Sequence, residues 1–128
     1  MADRSAPRPT DAELEILRVL WQRGTGTVRD VHEVLSARKG TTYNTTLKLM
    51  QIMNDKGIVT RDRSRRPQVY SPAVPQEQMQ RRLVSDLIDR AFGGSARRLV
   101  AALTSTDISE CELVEIRKLL DEAGEGGR

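Results

Sequence analysis

The sequence predicts a mainly α fold with a small β-hairpin, an N-terminal winged helix-turn-helix followed by a C-terminal region of three helices. Three observations predict it. Apolar residues recur at helical spacing in six segments, most of them opened by a Ser or Thr cap. The period changes once, to two short β-prone runs directly after the third segment. Aromatic residues make up only 3% of the chain, so a core must come from Leu, Val, Ile and Met, which favours helix packing over a β-sandwich.

Residues 1–9, with Pro7 and Pro9 among small and charged residues, read as a flexible arm. Thr10 opens "TDAE", a capping box in which Thr10 and Glu13 satisfy each other's free backbone N–H groups. Leu14, Leu17 and Trp21, flanked by Ile16 and Leu20, give the stripe of the first helix, and Gly24 ends it. Thr27 with Asp30 resembles a second cap, and Val28, Val31 and Leu35 form the stripe of helix two, which Gly40 closes. Helix three begins near Thr41 or Thr42 and stops at Gly57, the glycine expected just past a helix C-terminus. "IVTRD" and "QVYSP", separated by "RSRRP", read as a hairpin with an Arg-rich tip, ended by Pro72 and Pro75.

A longer helix is expected from Pro75 to Phe92, broken by Gly93-Gly94. Ser95 can cap a fifth helix, and Ser109 with Glu112 forms a capping box for the sixth. "GEGGR" is expected to fray. The resulting domains are an arm at 1–9, a winged-helix domain at 10–74, a helical dimerisation domain at 75–123 and a tail at 124–128.

Helix three carries the most informative face. At 100° per residue, Tyr43, Leu47 and Met50 fall within about 60° of one another and define its buried side, with Met53 near the edge. Thr41, Asn44, Thr45 and Lys48 fall within about 100° on the opposite side. All four lie in the first half of the helix. Short hydroxyl and amide side chains with one Lys are what a recognition helix presents to base edges in the major groove. A solvated face would also be polar, and a Thr-rich start also serves capping. The hairpin tip supplies Arg61, Arg63, Arg65 and Arg66, suited to neutralising phosphates without regard to sequence. Leu49 and Ile52 point away from the main stripe, leaving contact with the second half of the chain or a partner subunit open.

Charge follows the same division. Residues 1–75 hold 13 Lys and Arg against 8 Asp and Glu, whereas residues 76–128 hold 8 against 10. The basic half is the half expected to meet a polyanion. The second half carries more apolar positions than one short trio needs: Leu83, Val84, Leu87, Ile88, Phe92, Leu99, Val100 and Leu103. A homodimer would bury them, and two-fold symmetry would suit a palindromic site. Leu113, Ile116 and Leu120 of the last helix join this expected interface. Packing back on the first half is the alternative.

The remaining chemistry is sparse. Cys111 is the only cysteine, which rules out an internal disulfide and makes a thiolate metal site implausible. Glu110 and Glu112 beside it disfavour a reactive thiolate. His32 has no second His or Cys with which to share a metal. With one His, one Cys and no Gly-rich phosphate loop, an enzyme is not expected, nor is a cofactor or a metal. No apolar run approaches the roughly 20 residues of a membrane helix, and "MADRSAPRPT" lacks the apolar core of a secretory signal, so a cytoplasmic protein without membrane insertion is expected.

From Thr10 to Glu122 the sequence closely resembles the penicillinase-repressor family (BlaI/MecI/CopY type). The blocks "AELEIL..LW", "TVR.VHE.L", "T.Y.T.L..." and "KG.V.R", the "YSP" after the wing and the final "ISECELVEIRKLLDE" carry the resemblance. It implies a dimeric transcriptional repressor on a palindromic double-stranded DNA operator, often with TACA/TGTA half-sites. It places DNA reading on Thr41, Thr42, Tyr43, Asn44, Thr45 and Lys48, with Arg63, Arg65 and Arg66 on the wing. It also implies a membrane-bound sensor metalloprotease that inactivates the repressor by cutting its C-terminal helical region. The cleavable segment resembles "SARRLVAALTS", although those members have Asn-Phe where this chain has Ala102-Leu103. The copper-responsive branch has a C-terminal cysteine cluster that this chain lacks. The competing function is a protein-interaction module, because a winged helix can dock proteins without reading DNA.

Overall fold

The computed structural model describes residues 8–126. The arm expected at 1–9 lies outside the described residues up to residue 7. The elements run α1 (Asp11–Arg23), α2 (Val28–Lys39), α3 (Tyr43–Lys56), β1 (Val59–Asp62), β2 (Val69–Pro72), α4 (Gln76–Ala91), α5 (Ala96–Thr104) and α6 (Glu110–Gly126). The chain forms two compact units that divide between Leu83 and Val84, inside α4. The sequence pattern alone places that boundary at 74/75. The first turns of α4 go with the first unit because Met79 is buried in its core and Leu83 packs against it.

Local chemistry sets the helix starts. Thr10 Oγ1 accepts from the Glu13 N–H at 3.2 Å, and the Thr10 N–H donates to Glu13 Oε1 at 3.0 Å. Thr27 and Asp30 make the same reciprocal pair at 3.1 and 3.0 Å. The backbone N–H of Thr27, then its hydroxyl and Arg23 at 3.2 Å, hold the Asp30 carboxyl below the usual carboxylate range. A depressed folded value means stability that is present above the unfolded value of 3.8 and lost as pH falls through the lower folded one. Asp30→Ala is expected to cost about 0.5 kcal/mol at neutral pH, since the carboxylate is a third exposed and water screens its contacts. Thermal melts of the two proteins should converge as the pH is lowered below that range.

The core of the first unit is formed by Ile16, Leu17, Val19 and Leu20 of α1, Val28, Val31 and Leu35 of α2, Met50 and Met53 of α3, and Ile58, Val59, Tyr70 and Met79. An isolated two-stranded hairpin is marginal in water. Here Val59 and Tyr70 are buried in that core, and the strands pair antiparallel with Arg61 opposite Tyr70. The segment between α1 and α2 adds a bridge: the Gly26 N–H donates to the Tyr70 carbonyl at 3.0 Å, and the Tyr70 N–H to the Gly26 carbonyl at 2.8 Å. A Cβ at Gly26 would lie 3.3 Å from Leu20 Cδ2, so the approach favours glycine. Trp21 Nε1 donates to the Val74 carbonyl at 3.0 Å, tying α1 to the chain after β2.

The second unit differs in kind. None of its described residues is buried. Ser95 caps α5 and Ser109 accepts from the Glu112 N–H at 3.2 Å, so its helices are well started yet do not enclose a core. α6 continues to Gly126, into the segment expected to fray. Among the described residues no helix is long and apolar enough to cross a membrane.

Candidate nucleic-acid interface

α3 is fixed from its inner side. Thr46, Met50 and Met53 are fully buried, and Leu47 and Leu49 pack against the core. At its C-terminus Lys56 Nζ reaches Glu13 Oε1 and Oε2 at 2.9 and 3.0 Å. Glu13 is only 2% exposed, so the ammonium is the counter-charge of a buried carboxylate. A single carboxylate thus caps α1 and holds the end of α3.

The buried arc is rotated from the one the helical wheel predicts. It centres on Thr46, Met50 and Met53, about 60° from the centre of Tyr43, Leu47 and Met50. This corrects the assignment of Tyr43 to the buried side, for that ring is 40% exposed. It lies edge-on to His32 at 5.7 Å between centroids, with the Arg29 guanidinium 5.8 Å from its centroid. Tyr43 stands at the seam between α2 and α3, and His32 serves as its packing partner. The same rotation turns Leu49 onto the core and accounts for that residue. Ile52 stays exposed.

At the start of α3, Thr42 acts as the N-cap: its Oγ1 accepts from the Thr45 N–H at 3.2 Å and lies 2.9 Å from Thr45 Oγ1. Its hydroxyl is thus engaged within the helix end. Thr41 is half-buried, while Asn44, Thr45 and Lys48 are exposed on one side of the helix. These three form the outward polar arc.

The hairpin tip is ordered by Asp62, whose Oδ1 accepts from the Ser64 hydroxyl at 2.6 Å and the Ser64 N–H at 3.0 Å. Those two bonds, hydroxyl first, keep the Asp62 carboxyl below the usual range. Arg63, Arg65 and Arg66 are exposed at the tip, and Arg61 is half-buried with a buried Nε that has no hydrogen-bond partner among the described residues. Arg29 is the basic residue that the sequence reading missed. In "TVRD" it reads only as part of a cap, and its contact with Tyr43 depends on how α2 packs.

In the second unit the expected interface residues divide. Leu87, Leu103 and Leu120 are exposed, and Ile88, Phe92, Leu99, Val100, Leu113 and Ile116 are half-buried. Leu83 packs on the first unit's core instead. Val84, Val114 and Leu119 are also exposed, Leu119 at 65%. Ala102 and Leu103 lie exposed near the end of α5. Among the described residues no group of three or more His, Cys, Asp or Glu could hold a metal ion.

The penicillinase repressor family matches residues 9–122. The chain is 30% identical over 121 residues to the transcriptional regulator BlaI of Mycobacterium tuberculosis (strain ATCC 25618 / H37Rv), covering 92% of this chain and 88% of that protein. It is 22% identical over 120 residues to the penicillinase repressor of Bacillus licheniformis, covering 93% and 94% respectively. The solution structure of the DNA binding domain of the repressor BlaI matches with a TM-score of 0.51 and 24% identity, over 58% of this chain and 90% of that one. That likeness shows the winged-helix fold.

Proposed function

Because the chain belongs to the penicillinase repressor family, whose members are transcriptional repressors rather than enzymes, we propose that it acts as a dimer on a palindromic DNA operator. The observation that carries the DNA-reading part is the outward arc of Asn44, Thr45 and Lys48 on a helix anchored from its other side. Asn can pair bidentately with adenine, Lys can reach guanine or phosphate, and the Thr methyl can meet a thymine methyl. Thr41, Thr42 and Tyr43 flank that arc at the helix start. Arg61, Arg63, Arg65 and Arg66 supply the phosphate contacts that set register and affinity.

Selection from a random duplex pool by the full chain tests this reading. It predicts enrichment of an inverted repeat of TACA/TGTA type, with half-sites about one helical turn apart or a multiple of it. No enriched sequence would instead favour a winged helix that docks another protein.

The dimer rests on a second unit with no buried residue among those described and with Val84, Leu87, Leu103, Val114, Leu119 and Leu120 all exposed. In a two-fold dimer these side chains would form the missing core. Leu119→Asp is expected to shift the protein from dimer to monomer, as read by sedimentation or light scattering. A dimer that persists unchanged would place the contact elsewhere.

Induction follows from the same arrangement. Hydrolysis at Ala102–Leu103 by a membrane-bound sensor metalloprotease would separate α6 from α4 and weaken the dimer. Access is through Ala102, which is exposed and is not among the side chains assigned to the dimer core. The protein itself works in the cytoplasm, where the DNA is.

A further inference from the structure

One outward side chain of α3 is apolar. Ile52 is 37% exposed. At 100° per residue it lies about 20° from Thr45 and about 40° from Lys48, inside the outward polar arc. It sits about 6 Å beyond Lys48 along the helix axis. Its outward neighbours Lys48, Gln51 and Asp55 are all polar and exposed. Leu49, the other apolar residue off the main stripe, is taken up by the core, but Ile52 is not.

The floor of the major groove has one apolar feature, the C5-methyl group of thymine. We propose that Ile52 packs against a thymine methyl in each half-site and so helps determine operator specificity. The proposal rests on the DNA-reading function above and extends it along α3, beyond the residues at its N-terminus. Asp55, one turn on from Ile52, marks the limit of approach, since a carboxylate there would face the phosphates. Removing one methyl from an aliphatic contact of this kind weakens binding about fourfold per half-site.

The test uses the full chain and the duplex enriched from the random pool. Each thymine of one half-site is replaced in turn by uracil, which deletes the methyl and keeps the pairing edge. For the wild type, one replacement downstream of the Thr45 and Lys48 contacts should weaken binding about fourfold. For Ile52→Ala that replacement should have no effect, while the other thymines behave as in the wild type. Ile52→Val, which keeps a branched surface, should retain part of the sensitivity. Identical uracil profiles for wild type and Ile52→Ala would overturn the proposal. So would an equal loss on thymine and uracil duplexes accompanied by a fall in mass, which would put Ile52 against a second copy of the chain. If no sequence is enriched from the pool, both the DNA-reading function and this inference fail, whereas an operator without a position coupled to Ile52 overturns the inference alone.

Discussion

Replacing Lys56 by methionine is expected to destabilise the first unit by about 2–3 kcal/mol. The reason is asymmetry. Glu13 is buried and keeps its cap to the Thr10 N–H, but its counter-charge comes from a residue 43 positions away. Removing one partner of a buried pair typically costs about 3–5 kcal/mol, because the other charge is left uncompensated. The low end or below applies here, since the Lys56 side chain is 30% exposed and water screens part of the attraction. For a domain of this size the midpoint of thermal unfolding should fall by roughly 10–20 °C. Trp21, the single tryptophan, lies in α1 and reports on this unit by fluorescence. Adding Glu13→Gln to Lys56→Met should recover part of the loss, because an amide oxygen can still cap α1 without carrying a charge. Additive losses in the double variant would show that the pair is not coupled.

The second large effect concerns affinity. Changing Arg63, Arg65 and Arg66 together to alanine removes three exposed cations from the hairpin tip. If each neutralises one phosphate, the slope of log K against log salt should become shallower by about 2.7. At 0.1 M salt that counterion term alone corresponds to roughly 500-fold weaker binding. The loss should be similar on a specific and a scrambled duplex, because phosphate contacts carry no sequence information. An unchanged slope would remove the wing from the interface. A loss confined to the specific duplex would make these arginines base readers.

What the sequence makes legible here is mostly local. Thr10 with Glu13, Thr27 with Asp30 and the glycines after α1, α2 and α3 act within a few residues, and the helices begin and end where those signals stand. The hairpin is legible because alternation is a two-residue property. The bridge between Gly26 and Tyr70 is not, since nothing near either residue names the other. The same holds for Glu13 and Lys56: each reads locally as a cap residue and a helix-end cation, and only packing joins them. On α3 the wheel gives the period correctly and the phase wrongly. Three apolar residues, Tyr43, Leu47 and Met50, outvote the small Thr46, yet Thr46 is fully buried. Tyr43 is displaced to the seam, where Arg29 and His32 hold it. The outward residues Asn44, Thr45 and Lys48 survive that rotation because they lie near the middle of the exposed arc. In the second unit, Val114 and Leu119 fall outside the stripe of Leu113, Ile116 and Leu120 and flank it. The apolar face that α6 exposes is wider than that three-residue stripe.

The central claim is that α3 reads sequence while the wing holds phosphate. A salt series of equilibrium binding tests it most directly, with the full chain on an inverted TACA/TGTA repeat and on a scrambled duplex of equal length, and with mass measured in the same samples. The account predicts a steep salt slope on both duplexes, with the repeat bound by a dimer about a thousandfold or more tightly than the scrambled duplex at physiological salt. Equal affinity for the two duplexes at every salt concentration would contradict it.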